Sequence, residues 1–182
     1  MNKYAVILNF SPRNTGNCDA ICKHIAKNCS QTYVRIHQIT SKVFEPCHSC
    51  NYQCLQYDQI CPNLNAEQRG IMEEICNSEI IYFVIPNFCG YPNANYFAFN
   101  ERSVGYFNGN RQLMNTYMNV PKRFIIVSNS ESQIIVDAMK HQVNTEPQIL
   151  YMKTSKYKKR SVTGDMLESS EAIADLNEFL NN

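Results

Sequence analysis

The chain has 182 residues, 44% of them hydrophobic and 18% charged, which fits one globular domain with a sizeable core. A formal net charge of +1 at pH 7 excludes the basic surplus that nucleic-acid binding uses, and no apolar run is long enough to span a membrane. Nine cysteines are the anomaly. The apolar run at the N-terminus is too short for a signal peptide, so a cytoplasmic, reducing setting is expected, where thiols serve metals, redox chemistry or packing.

In chain order, "YAVILNF" (4–10) is almost continuously apolar, as a parallel strand buried on both faces requires. "SPRNTGNC" (11–18) then leads into a helix. It offers the hydroxyls of Ser11 and Thr15, the cation of Arg13 and the amides of Asn14 and Asn17, while Gly16 permits close backbone approach. The first free amides of the following helix point to the same spot. That set suits a phosphate monoester, which Arg can grip bidentately. It lacks the Lys of a Walker loop and the spaced glycines of a dinucleotide fingerprint, and a plain strand-to-helix connector is the competing reading. "NCDAICKHIAKNC" (17–29) carries Ile21, Ile25 and Cys29 on one helical stripe, with Asp19 in its first turn.

"TYVRIHQI" (32–39) alternates, with Tyr33, Arg35 and His37 on one face, the pattern of a strand near a sheet edge. After it, Cys47, Cys50, Cys54 and Cys61 are spaced C-x2-C-x3-C-x6-C. Four thiolates this close in sequence can converge on a [4Fe–4S] cluster or a tetrahedral zinc, with His48 as a substitute ligand, or they can remain plain thiols. "NAEQRGIMEEICNS" (65–78) is helical, pairing Ile71 with Ile75.

"EIIYFVIP" (79–86) is the most hydrophobic strand in the chain. Its continuation "PNFCGYPNANYFAFNER" (86–102) is ended by Pro, Gly and Asn, and Phe88 and Tyr91 supply flat apolar surfaces suited to an aromatic ligand or to the core. "RFIIVSN" (123–129) is a further buried strand, and "ESQIIVDAMKHQV" (131–143) is a helix presenting Ile135 and Met139 together. "QILYM" (148–152) closes the strand set. The basic run "KTSKYKKR" (153–160) reads as a solvated loop. The final "SSEAIADLNEFLNN" (169–182) starts on a capping serine and turns Ile173, Leu176 and Leu180 inward. Cys22, Cys29 and Cys76 fall at apolar helix positions and read as packing residues. The four histidines have no acid or serine at triad spacing, so no hydrolytic centre is expected.

Alternating strands and helices predict a single α/β domain over 1–182, with a cysteine-rich insertion at about 45–63. Five strands at this length point to a flavodoxin-like three-layer sandwich, a five-stranded parallel sheet of order 2-1-3-4-5. Ligands of such sheets sit beyond the carboxyl ends of the first and third strands, the places occupied by 10–18 and 86–92.

The motifs at those two places carry a resemblance. "SPRNTGN" is similar to the phosphate loop of the NADPH-dependent FMN reductases and iron–sulfur flavoproteins of the flavodoxin-like superfamily. "PNFCGYPNANYFAFNER" matches, without a gap, that family's flavin-ring loop and following helix, through Pro86, Gly90, Ala94, Ala98, Phe99 and Arg102. The resemblance implies that Ser11, Arg13, Asn17 and Cys18 hold the phosphate of FMN. It also implies that Pro86, Asn87, Phe88, Cys89 and Gly90 lie along the flavin, with the amides of 87–90 on its pyrimidine edge. No catalytic side chain is implied, since the cofactor performs the chemistry.

Several positions depart from the family pattern. Phe10 stands where the family has glycine, Cys18 where it has threonine, Asn87 where it has an aliphatic residue and Phe88 where it has tyrosine. The loop "SNSESQ" (128–133) lacks the family's glycines, and no residue is carried over from it. In the iron–sulfur relatives four cysteines in the same insertion ligate a [4Fe–4S] cluster, so Cys47, Cys50, Cys54 and Cys61 are candidate ligands, with one residue more between the second and third than the family has. The implied activity is electron transfer from NAD(P)H or ferredoxin, through FMN, to an unidentified acceptor, in a homodimer or homotetramer. The alternative is a non-catalytic flavodoxin-like module with a structural zinc or plain thiols. Neither nucleic acid nor a membrane is an expected partner.

Overall fold

The computed structural model describes residues 4–48, 50–56 and 59–182. Five parallel strands form one sheet: β1 (Tyr4–Asn9), β2 (Tyr33–Gln38), β3 (Ile80–Phe88), β5 (Lys122–Ser128) and β6 (Gln148–Lys153), in the order β2-β1-β3-β5-β6. A sixth strand, the two-residue β4 (Tyr91–Pro92), pairs antiparallel with the end of β3 and lies off that path. The order therefore differs from the expected 2-1-3-4-5 numbering because of this inserted hairpin strand. β3 runs on past Pro86 to Phe88, and Cys89 (φ 53) and Gly90 (φ 88) turn the chain back. Positive φ at both central residues matches the right-handed twist of a two-residue hairpin.

Period-two burial places alternate side chains of each central strand in opposite layers. Val6, Leu8, Ile81, Phe83, Ile85, Phe124 and Ile126 face one way, while Ala5, Ile7, Tyr82, Val84, Ile125 and Val127 face the other. The first set packs under α2 (Ala66–Cys76), α3 (Ala94–Phe107), α4 (Arg111–Asn119) and α5 (Gln133–Lys140), through Ile71, Phe99, Tyr117, Ile135 and Met139. The second packs under α1 (Asn17–Asn28) and α6 (Ser170–Asn181), through Ile21, Ile25, Leu176 and Leu180. Cys29 and Ile173, expected on these inner stripes, are only partly buried. Among the described residues β2 pairs only with β1, the edge position its sequence predicts, though burial does not alternate along it: Tyr33 and Ile36, on opposite faces, are both exposed.

Helix ends are set by local chemistry. Asn65 and Gln68 form a reciprocal capping box at α2, and Ser169 accepts the Ala172 amide at α6. α1 is different: its N-cap is Gly16 (φ 134), which offers no side-chain cap. Its first-turn amides are left open at the end of β1.

Phe10 resolves one departure from the family pattern. Its side chain is fully buried among Phe83 (centroids 5.8 Å apart, stacked), Tyr96 and Phe99, on the α3 side of the sheet. A bulky residue at this position therefore fills the core and leaves the loop that follows clear. Among the described residues no helix is long and apolar enough to cross a membrane.

Candidate functional site

The carboxyl ends of β1 and β3 open into a cavity of about 260 Å³. One wall is the 11–18 loop, contributing Ser11, Arg13, Gly16, Asn17 and Cys18. The opposite wall is Pro86, Asn87, Phe88 and Cys89. The topology thus brings together the two stretches that are 68 or more positions apart in sequence (18 to 86).

The first loop is held in shape by its own polar groups. The Ser11 amide donates to Asn9 Oδ1 (3.0 Å), the Arg13 amide donates to Ser11 Oγ (3.2 Å), and Gln38 at the end of β2 donates to the Ser11 carbonyl. This curls the chain so that Arg13 stays exposed at the rim, its guanidinium reaching, among the described residues, only the Val162 carbonyl at 3.5 Å. The uncapped first turn of α1 and this cation face the same space, a donor set that matches a dianionic phosphate. Cys18 is buried there, and burial pushes its thiol up to about 12, so it stays protonated at neutral pH. It can offer a weak S–H donor but no thiolate.

Asn17 has another role. Its side chain is buried, donates to the carbonyls of Arg160 (3.3 Å) and Ser161 (3.4 Å), and accepts from the Met166 amide (3.0 Å). The segment after β6 is thereby folded against the phosphate loop, and Ser161 and Val162 complete the cavity wall. What Asn17 leaves open to an anion is its backbone N–H. The lysines of the basic run pair with carboxylates, Lys153 with Glu131 (2.6 Å) and Lys159 with Glu168 (2.8 Å), in keeping with a solvated stretch.

The second wall is braced by the loop after β5. Asn87 Nδ2 donates to Ser128 Oγ (2.6 Å), while Asn87 Oδ1 accepts the Gly90 amide (2.8 Å). Ser132 Oγ donates to the Gly90 carbonyl (2.6 Å). Glycine is therefore unnecessary in "SNSESQ": serine hydroxyls do the joining. Phe88, which lines the cavity, and Tyr91, opposite it across the hairpin, are half exposed, and Cys89 is exposed beside them.

Sequence reasoning missed Ser128, Ser132, Ser161 and Val162. The serine-rich run after a buried strand was a signal for the first two, since the end of β5 lies on the ligand-binding edge of the sheet. Nothing in 160–164 marked its contact with α1.

The four candidate cysteine ligands lie apart from this cavity, along α3. Cys61 is buried, Cys50 and Cys54 are partly buried and Cys47 is exposed. Cys47 Sγ donates to the carbonyl of His48, and Cys50 Sγ accepts the Tyr52 amide at 3.3 Å. Among the described residues no three metal-ligating side chains are grouped to hold a metal, so as placed these cysteines do not fit a four-thiolate cluster or a zinc site. His24 pairs with Asn177, and two histidines have carboxylate partners that the sequence did not suggest, His37 with Glu74 and His48 with Glu45.

No family profile matches the chain, and no curated protein is similar to it in sequence. Solved structures do share its architecture. The NAD(P)H:quinone oxidoreductase from Methanothermobacter marburgensis superposes with a TM-score of 0.67 at 11% identity, covering 100% of this chain and 99% of that one. The Trp repressor binding protein from Bacillus subtilis gives 0.60 at 16% identity, over 98% and 97% of the two chains. An FMN-dependent NADH-azoreductase from Bacillus anthracis, in complex with FMN, gives 0.57 at 11% identity, over 98% of each. At these identities the likeness establishes the flavodoxin-like α/β fold across the whole chain.

Proposed function

We propose that this chain is an FMN-dependent oxidoreductase of the NADPH-dependent FMN reductase kind, taking electrons from NAD(P)H and passing them to a small acceptor. The observation that carries the reading is the single cavity at the β1/β3 switch point, walled by the phosphate-type loop on one side and the 86–90 hairpin on the other. The names of structural neighbours support it: they include an NAD(P)H:quinone oxidoreductase and an FMN-dependent NADH-azoreductase.

FMN, when bound, supplies the hydride and electron chemistry. The chain's own residues bind and orient. The open amides of α1 and the Arg13 guanidinium neutralise a phosphate dianion. Ser11 Oγ shapes the loop by accepting the Arg13 amide and keeps its O–H to donate to the phosphate, while the Asn17 side chain fixes the 160–166 segment over the loop. Asn87, Ser128 and Ser132 hold the hairpin rigid, the Gly90 amide being taken by Asn87 Oδ1, so that backbone amides within 87–89 meet the ring edge at fixed positions. Phe88 and Tyr91 cover apolar ring surface and keep water from it.

A homodimer or homotetramer accords with the half-exposed Phe88 and Tyr91 of the hairpin, where a second copy would shield them. Free thiols at all nine cysteines accord with a reducing, cytoplasmic setting. No electron step is assigned to a cluster, because the thiols are not placed for one.

The test is direct. The purified chain is mixed with FMN, separated from free ligand and examined for flavin absorbance, then reduced anaerobically with NADPH or NADH. Retained flavin that bleaches with nicotinamide supports the proposal. Bleaching only with reduced ferredoxin changes the donor, and failure to retain FMN in excess overturns the reading.

A further inference from the structure

The 47–61 stretch does not form a four-ligand site, but two of its thiols are brought together. α3 lacks a side chain at Gly105, and a Cβ built there would lie 2.7 Å from Cys61 Cβ and 3.9 Å from Cys54 Cβ. Both cysteines therefore crowd one point on the helix surface, each within a side chain's reach of the other. Each is also pinned to that helix. The Cys61 amide donates to the Gly105 carbonyl (2.8 Å), and Asn108 Nδ2 donates to the Cys54 carbonyl. The remaining two thiols are engaged locally, Cys47 with its neighbour's carbonyl and Cys50 with the Tyr52 amide.

Arg102 lies one turn before Gly105. It is buried, with Nε on the Glu45 carbonyl (2.8 Å), Nη2 on the Pro46 carbonyl (2.8 Å) and Nη1 3.8 Å from Cys61 Sγ. Arg102 thereby ties both the start of the cysteine stretch and Cys61 to α3. Cys54, in the middle of the short 3-10 turn Gln53–Leu55, is partly buried and is the more exposed residue of the pair. Burial and the neighbouring Cys61, Cys50 and Cys47 sulfurs push the Cys54 thiol up; as the more exposed residue of the pair it is the one a small oxidant reaches first.

We propose that Cys54 and Cys61 are a reversible dithiol/disulfide centre seated on α3, a two-electron redox site in place of a metal cluster. Its oxidant is of the peroxide class. The Cys54 sulfur attacks one oxygen of hydrogen peroxide, breaking the O–O bond, releasing one water and leaving a sulfenic acid. The Cys61 sulfur then displaces the hydroxyl of that sulfenic acid, forming the S–S bond and releasing a second water. Both thiol protons leave in the two waters, the two sulfurs lose two electrons together, and the peroxide gains them. A dithiol reductant reverses the bridge by exchange. Closing it brings the two Cβ atoms to about 3.8 Å.

The test uses the full chain, with or without flavin, so its outcome is independent of the FMN reading. Protein reduced and freed of reductant is treated with a slight excess of hydrogen peroxide, alkylated and mapped by mass spectrometry without reduction. The expected result is one linked peptide pair carrying Cys54 and Cys61, near-complete loss of alkylation at both, and recovery with dithiothreitol. The link should form as fully in a Cys47→Ser, Cys50→Ser variant. Three results overturn the proposal: Cys54 and Cys61 staying alkylatable while other thiols oxidise, a link between other cysteines, or anaerobically purified protein whose four thiols are shielded by bound iron and sulfide or by zinc.

Discussion

Gly164 rests directly on Gly16: a Cβ at Gly164 would come within 2.9 Å of the Gly16 Cα and 3.5 Å of its nitrogen. Two residues at opposite ends of the chain are thus backbone to backbone, at the point where the phosphate-type loop enters α1. Gly164 also has φ 78, a conformation that side chains resist.

Gly164→Val is therefore expected to lift the 160–166 segment from the loop. The combined clash and backbone strain should lower stability by about 2–3 kcal/mol and weaken FMN uptake. Thermal unfolding and FMN titration measure the two effects. An unchanged FMN affinity would show that this segment does not shape the site.

Arg13→Ala removes the one cation that lines the cavity among the described residues while leaving the loop's internal hydrogen bonds in place. A charge-assisted contact of about 1.5–3 kcal/mol corresponds to a roughly tenfold to hundredfold weaker affinity for FMN. Riboflavin, which lacks the phosphate, should bind both proteins alike. Equal losses for the two ligands would place Arg13 away from the phosphate.

Cys89 occupies a left-handed position in the hairpin turn, with φ 53. Glycine adopts that conformation freely, so Cys89→Gly should leave the fold intact and change stability by no more than about 1 kcal/mol in either direction. Electron transfer from NAD(P)H should persist, because the turn's backbone, not the thiol, presents the amides. Loss of activity with retained FMN would assign the sulfur a chemical role.

Lys122 lies far from the cavity and reports on the core. It is buried with no carboxylate partner among the described residues, donating to the Tyr117 and Val120 carbonyls and resting 4.2 Å from the Tyr117 ring centroid. Burial lowers it from 10.5 to about 8. Between those values the unfolded chain binds the proton that the folded chain has released, so this residue's contribution to stability rises with pH across the window. Below about pH 8 the cost of charging it in the core is fully present. Relative to Lys122→Met, the parent chain should gain a few kcal/mol between pH 8 and 10.5 and track the variant outside it. Parallel stability curves throughout would mean that Lys122 keeps its ordinary proton affinity.

The fold was legible because its signals are local. Near-continuous apolar runs at 4–10, 79–86 and 123–129 became the three central strands β1, β3 and β5, and the alternating 32–39 became an edge. The two loops that wall the cavity followed from the topology, since parallel sheets expose ligand sites at one end. What escaped notice depends on distance in the chain. Asn17 looked like a free anion ligand, yet its side chain answers an amide 149 positions later. The hairpin strand β4 is two residues long, too short to leave a periodic trace. α4 is mostly polar, with only Tyr117 fully buried, so no apolar stripe announced it. The cysteine spacing suggested four converging ligands, but spacing does not reveal that α3 presents a bare glycine where two of them gather.

The burial of Phe10 has a thermodynamic consequence. Its amide donates to the Val84 carbonyl, and its own carbonyl accepts from both Asn93 and Asn95, so the root of the phosphate-type loop is fixed on three sides before any ligand arrives. Ordering such a loop on binding would consume free energy that anion contacts must first replace. Here that entropy is already spent by the aromatic core during folding, and the anion contacts contribute to affinity nearly undiminished.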